Sequence, residues 1–380
     1  MATENNNKTL NVPNLRFPEF SGEWERCSLG EITTNFSRRN KEEVRYPMFS
    51  VTNNRGFVPQ SEQFEDREMV GEDIKAYKII HKNDFAYNPA RINVGSIAKY
   101  NGNEPCMISS LYVCFTADKR LDNEWLIQLL KTPKMNFYYN INGEGGVRVY
   151  LFYPNFARIK TAFPSLQEQQ KISSFLALLD ERIATQIKII EKLESLIKGL
   201  CSSLFDKNKY DSFVRLGDIS EITNGNSDVQ DASLSYSDGM YPFFDRSEDI
   251  KFLPEYLLDK EAIIYPGEGS EFYPRYYNGK FALHQRCYAI YDIAPNFATR
   301  YLYFFCKTQN SYFVRNAVGS TVASLRLDTF KRLNIPNIPI KLQKTYVQLL
   351  DKIERKIVDN KTVLKKYEEQ KRYLLSKMFI

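Results

Sequence analysis

The stretch Ser165–Phe205 reads SLQEQQKISSFLALLDERIATQIKIIEKLESLIKGLCSSLF, and its apolar spacing decides the architecture. Written as a helix, it opens on Ile172 and puts Leu176, Ile183, Ile190, Ile197 and Leu204 at one core position of a heptad. Leu179, Leu193 and Leu200 take the other core position, with one polar residue, Gln186, among them. Pro164 suits a helix entrance, because proline has no amide hydrogen to lose in the first turn. An amphipathic helix lying on a globular core would show much the same pattern, so this stretch alone leaves both readings open.

The same frame returns 174 residues later. Leu350, Ile353, Ile357, Leu364, Tyr367, Leu374 and Met378 line a second helix from about Lys341 to the C-terminus, and its polar residue, Asn360, falls in the slot of Gln186. A buried polar side chain costs stability but penalises wrong registers. The pattern predicts that the two helices are partners, with Gln186 and Asn360 setting register and Lys371, which interrupts the second seam, reaching toward water.

With 380 residues, 43% hydrophobic and 26% charged, the chain has room for two or three folded domains. No apolar run approaches the roughly 18 residues that cross a bilayer. Met1–Leu10 is polar and Asn-rich, unlike a signal peptide or anchor, so the expected compartment is the cytoplasm. Six scattered cysteines and two histidines, His81 and His284, supply no metal-ligand spacing, and the thiols read as free and buried. The net charge of +6 lies wholly in residues 341–380, where 11 Lys or Arg face 5 Asp or Glu, leaving 41 of each sign in residues 1–340. Net charge therefore does not by itself mark the larger regions as nucleic-acid binding.

The halves echo each other. Leu29-Gly30-Glu31-Ile32 returns as Leu216-Gly217-Asp218-Ile219, and Glu72-Asp73-Ile74-Lys75 as Glu248-Asp249-Ile250-Lys251. Lys131-Thr132 returns as Lys307-Thr308, and Phe156-Ala157-Arg158-Ile159 as Phe330-Lys331-Arg332-Leu333. Four matches in one order, each set ending in a heptad helix, indicate an internal duplication. The expected plan is an unstructured start (1–12), a first domain over 15–162, a spacer helix over 164–206, a second domain over 213–337 and a second spacer helix over 339–380. Phe85–Tyr87, Leu111–Phe115, Ala262–Tyr265 and Cys287–Tyr291 read as strands, whereas Asn123–Lys131 and Thr299–Lys307 read as helices, which makes each domain α+β.

Catalytic motifs are missing. There is no GxxxxGK[ST] loop for ATP, and the glycine clusters Gly143–Gly146 and Gly267–Ser270 lack its lysine and read as turns. Asn88-Pro89-Ala90 lacks the second proline and stacking aromatic of an adenine methyltransferase motif. What remains is surface chemistry. The loops Ser50–Gly56 and Tyr87–Ser96 carry Asn53, Arg55, Asn88, Arg91, Asn93 and Ser96, and the second half carries Arg246 and Arg275. Arginine and asparagine can each bond two atoms of a base edge, while serine suits phosphate. The same groups also occur in ordinary turns that satisfy their own backbones.

The chain resembles the specificity (S) subunit of type I restriction–modification systems over nearly its whole length. The residues that carry the resemblance are Leu15-Arg16-Phe17-Pro18-Glu19-Phe20 with Trp24 and Leu29–Ile32, Tyr87-Asn88-Pro89 with Arg91–Ile97, and Phe163–Ile172 opening the central helix. The second copy departs from the pattern, since Pro339-Ile340-Lys341-Leu342-Gln343-Lys344 lacks the glutamate–glutamine pair, so identical contacts at the two helix starts are not expected. The resemblance implies two similar α+β target-recognition domains separated by two long conserved helices packed as an antiparallel coiled coil, with a pseudo-twofold internal repeat. It also implies double-stranded DNA as ligand, each domain reading half of a bipartite asymmetric site. The implied partners are two modification (M) subunits, which methylate adenine from S-adenosylmethionine, and restriction (R) subunits driven by ATP. The chain itself would bind no cofactor or metal and catalyse nothing. The alternative is a coiled-coil scaffold that binds protein partners.

On this reading the helices set the unread spacer between half-sites. Inserting one heptad near Gln186 and another near Asn360 preserves both seams and adds about 10 Å. The spacer should then grow by about one to three base pairs, at roughly 3.4 Å each, with both half-site sequences unchanged. Methylation mapping checks this, and an unchanged spacer with full activity removes the ruler role.

Overall fold

Both heptad stretches form unbroken helices, Leu166–Leu204 and Ile340–Lys377, of 39 and 38 residues. At roughly 1.5 Å per residue each is about 57 Å long. The computed structural model describes residues 11–63, 74–145 and 149–380. The polar start at 1–10, Glu72-Asp73 of one repeat match and Gly146 of the first glycine cluster lie outside the described residues. The chain divides into two compact units, Met1–Thr185 with Leu364–Ile380, and Gln186–Val363, so the division cuts both long helices.

Within the first unit the helices pack antiparallel. Ile172, Leu176 and Leu179 share a core with Leu374, Met378, Trp125 and Phe156, and the Trp125 and Phe379 rings stack at 5.8 Å. Lys371 does not simply reach for water. Its ammonium pairs with Asp180, because a lysine in a seam position is stabilised most by a carboxylate on the facing helix. Within the second unit Ile190, Ile197, Leu350 and Ile357 are buried along the seam. The Gln186 amide donates to the Asn360 side-chain oxygen and, at 3.2 Å, to its carbonyl. Asn360 in turn donates to Lys356 O at 2.6 Å. Near the end of the central helix Cys201 is buried and Leu200 only half-buried.

The duplication is visible in both sheets. In the first unit the strands run in the order Thr33–Phe36, Val113–Ala117, Phe85–Tyr87, Ile97–Lys99, all antiparallel. The second unit repeats that order with Glu221–Asn224, Cys287–Tyr291, Leu258–Pro266 and Arg275–Leu283. It then adds Tyr241–Phe244, parallel to its neighbour, and Lys251–Leu253. The helices Asn123–Leu130 and Thr299–Lys307 lie where the periodicity places them. Leu111 is not in a strand. It sits in a turn, 79% exposed, and the strand starts at Val113. The Ile74-Lys75 half of one repeat match is a coincidence of letters. It forms a 3-10 turn before Lys78–Ile80, which pairs with Cys106–Ile108, whereas Lys251 opens a strand paired with Tyr241–Phe244.

Each of the other matches has a physical reason. Gly30 and Gly217 are places where a Cβ would lie 2.9 Å from Ala157 and Lys331 respectively, so the short helices Tyr153–Arg158 and Leu327–Lys331 cross there only over glycine. The preceding residues, Leu29 and Leu216, donate their amides to Ile159 O and Leu333 O. Thr132 and Thr308 both return their hydroxyls to the helix just ended, at Leu129 O and Phe305 O.

The two helix starts are not identical, but they share the contacts of one glutamine. Fully buried Gln169 accepts from the Asp122 amide at 2.7 Å and donates to Pro164 O and Arg120 O at 2.9 and 3.1 Å. Gln343, equally buried, accepts from Ala298 N at 2.9 Å and donates to Ile338 O and Asn296 O at 2.9 and 3.0 Å. Asp122 and Ala298 are the N-caps of the equivalent domain helices. Only the glutamate is particular to the first copy. Glu168, 1% exposed, takes two bonds from Arg16 at 2.7 and 2.8 Å and one from Trp24 Nε1 at 3.3 Å. Its counterpart Leu342 is 38% exposed and carries no charge that a partner would have to match.

Three outcomes follow from these contacts. Gln169→Glu and Gln343→Glu should each cost about 2–4 kcal/mol, since a carboxylate cannot donate to the two carbonyls it would face; denaturant melts that leave either variant at wild-type stability would refute the hook. Replacing Gln186 and Asn360 together by leucine should raise the melting temperature while loosening register or oligomeric state; a lower melting temperature with unchanged assembly contradicts this. In the second unit burial opposes ionisation of Glu354, but Lys307 and Arg300 outweigh it and hold the carboxyl below its usual range. A carboxylate with a depressed native pKa contributes stability above its unfolded pKa, and that contribution disappears as pH falls through the native value. Glu354→Gln should flatten that part of the acid limb of a stability–pH curve.

Candidate nucleic-acid interface

Equivalent ends of the two sheets open into clefts. In the first unit Tyr87 pairs with Val113 where the central strand ends and the next begins. In the second, Tyr265 pairs with Tyr288 at the same place, and the ladder runs one pair further to Pro266 and Cys287. The loops that leave and enter the sheet there, together with one further turn, wall each cleft.

The first cleft, of about 440 Å³, gathers Asn53, Arg55, Asn88 and Arg91 around Tyr112. Asn88 closes its own turn, accepting from Ala90 N at 3.0 Å, and so gives the loop its shape. Gly95, at φ +100, runs so close to Asn53 that a Cβ would meet its carbonyl at 3.0 Å. Arg91 is exposed, and its guanidinium makes no hydrogen bond or ion pair among the described residues. Arg55 pairs with Glu62 at 2.8 Å, both largely exposed, and such a pair exchanges readily for another anion. Asn93 stands apart, in a neighbouring hollow with Lys131 and Asn136, and bonds Asn140 at 3.0 Å. Ser96 presents nothing outward. It is 1% exposed and its hydroxyl donates to Val51 O at 2.7 Å, because a serine at the end of a tight loop satisfies backbone first. Tyr112, Lys131 and Asn136 were missed, although the Lys131-Thr132 repeat pointed at their neighbourhood.

The second cleft, of about 510 Å³, is lined by Arg246, Glu268, His284, Gln285 and Arg286. Arg246 sits exposed at the tip of a clamped turn. Buried Asp245 takes bonds from Ser247 N at 2.8 Å and Lys251 Nζ at 2.5 Å, and against the cost of burial these donors hold its carboxyl below its usual range. Arg275 lies behind the same turn. Its guanidinium donates to Ser247 O at 2.8 Å and to Asp245 O, and lies over the Phe244 ring at 5.1 Å. Burial lowers its pKa, and its donors are spent inside the unit, so Arg275 braces the turn and does not face the cleft. Sequence reasoning named Arg246 and Arg275 but not Arg286, because it could not see which way each arginine pointed.

Other chemistry stays quiet. All six cysteines are free and buried, and burial pushes Cys27 and Cys287 up to about 11 and Cys106 and Cys114 up to about 12, far from an activated thiolate. No cluster of three or more His, Cys, Asp or Glu could hold a metal, and no helix is long and apolar enough to cross a membrane, among the described residues.

Comparison with known proteins places this geometry. Residues 22–195 and 209–368 each match the model of the type I restriction modification DNA specificity domain. Among solved structures, the chain is similar to the type I restriction–modification S subunit from M. genitalium, with a TM-score of 0.66, 15% identity, and coverage of 97% of this chain and 99% of that one. It is also similar to a chain from a study of complex assembly and conformational transition of the type I R-M system, with a TM-score of 0.57, 14% identity, and coverage of 93% and 97%. No curated protein sequence matches it. Two copies of that domain, on a duplicated α+β fold carried by two paired helices, make this chain a member of the type I restriction–modification DNA specificity family, a recognition subunit rather than an enzyme.

Proposed function

We propose that the chain reads a bipartite, asymmetric sequence in double-stranded DNA, one half through a domain at 15–162 and the other through a domain at 213–337. It would deliver that sequence to two modification subunits, which methylate adenine, and to restriction subunits, which cut. It would work in the cytoplasm, where the DNA lies. The observation that carries this reading is the repeated cleft. Each unit presents, at the same end of an equivalent sheet, an exposed arginine that makes no side-chain hydrogen bond or ion pair among the described residues, Arg91 in one and Arg246 in the other. An exposed guanidinium held on a shaped loop is suited to the paired acceptors of a guanine edge. Asn53 and Arg55 add polar groups around Arg91, and Asn93 adds its amide in the neighbouring hollow. The long helices keep apolar side chains in the open, with Leu178 and Tyr373 of the first unit 61% and 58% exposed, and Leu196 and Val358 of the second 49% and 58%. That surface supports the expectation of protein partners.

Co-expression with a modification subunit, followed by mapping of methylated adenines, tests the reading. Two half-sites separated by an unread spacer are expected, and no sequence preference would overturn it. Arg91→Ala should cost roughly 1–3 kcal/mol on the cognate site and relax one half-site only. Equal weakening on every DNA sequence would make Arg91 a phosphate contact instead.

A further inference from the structure

Register in the two sheets aligns the clefts residue by residue, and letter matching does not. Phe36 and Thr223, four residues after the matched Ile32 and Ile219, pair with Cys114 and Ala289, so Tyr87 and Tyr265 hold the same ladder position, the loop from Asn88 corresponds to the loop from Pro266, and Gly269 stands where Arg91 stands. Val113 and Tyr288 face these residues on the next strand, so Cys287 takes the place of Tyr112 and Arg286 that of exposed Leu111. Arg275 pairs with Ile264 as Ala98 pairs with Ala86, so it has no basic counterpart in the first unit. Lys99 and Arg275 are nevertheless both strand cations committed within their own unit. The Lys99 side chain, 7% exposed, pairs with Glu124 at 2.6 Å.

The second cleft thus lacks a counterpart of Arg91, and the basic group comes from the other wall. We propose, resting on the DNA-reading role above, that the turn His284–Arg286 reads base edges in the second half-site beside Arg246, with Gln285 and Arg286 determining specificity. Both are exposed. Arg286 spends only Nη1 on the two oxygens of Glu268, at 2.8 and 2.9 Å, leaving Nε and Nη2 available. Glu268 is itself held by Ser324 at 3.3 Å, so the carboxylate orients the guanidinium without occupying it. Gln285 donates once, to Asp228 at 3.3 Å, and keeps its oxygen and a second N–H. An amide with one donor and one acceptor left fits adenine N7 and N6, and a guanidinium fits guanine O6 and N7. Arg246, Lys251 and Arg286 are balanced in this cleft by Asp228, Asp245 and Glu268. A site without excess charge contributes little to phosphate affinity and is suited to discrimination.

The test uses the full chain assembled with its modification subunit. Methylated adenines are mapped for the wild type, Gln285→Ala and Arg286→Lys, and binding to cognate and singly altered duplexes is measured by footprinting. Arg286→Lys keeps the charge and loses the fork. Both variants are expected to leave the first half-site unchanged and to lose about tenfold or more of the preference at one or two positions of the second. Unchanged specificity in both variants, or weakening that is uniform over all duplexes, overturns the assignment while leaving the DNA-reading role standing. A wild-type complex without sequence preference overturns that role and the assignment with it.

Discussion

A single glutamine at the start of each long helix joins two elements that would otherwise be free to shift. Gln169 and Gln343 each accept from the N-cap amide of a domain helix and donate to the carbonyls flanking the join. Buried amides are costly unless every polar group is matched, so this three-bond hook tolerates one relative placement of domain helix and long helix. The sheet, the crossing over Gly30 or Gly217, and the cleft at the sheet's end follow from that placement within each unit.

Around the hooks the copies diverge according to what meets them. Glu168 survives buried because Arg16 and the Trp24 indole bind its carboxylate, and without them burial of the charge would be prohibitive. The second copy carries exposed Leu342 at that position. It instead ties its domain helix to the C-terminal helix through Arg300 and Lys307 on Glu354. In the first unit the matching carboxylate, Asp180, takes its cation from Lys371 on the facing long helix. The same join is thus held by different charges in the two copies.

The clefts show the same economy. A reading surface needs donors that are oriented yet unspent, and the fold supplies orientation from behind. Asn88 closes the loop that carries Arg91, and Asp245, Lys251 and Arg275 clamp the turn that carries Arg246. Rigid braces on a sheet edge let the outward residues vary without disturbing the core, a division of labour expected of a protein whose copies read different sequences.

Much of this was determined by the sequence alone. The heptad frames, the polar pair Gln186 and Asn360, the Leu-Gly-Glu/Asp-Ile motifs and the two domain helices are periodic or local features. Periodicity and close glycine contacts are dictated by backbone geometry, which neighbouring residues report directly. Tertiary structure alone decided the rest. Whether an arginine braces or reads depends on which carbonyls approach it from elsewhere in the chain, as Asp245 O and Ser247 O approach Arg275. Ser96 is silent because Val51 O lies 2.7 Å away, and Gln343 repeats Gln169 although the letters around it differ, because hydrogen-bond partners are selected by position in space and not along the chain.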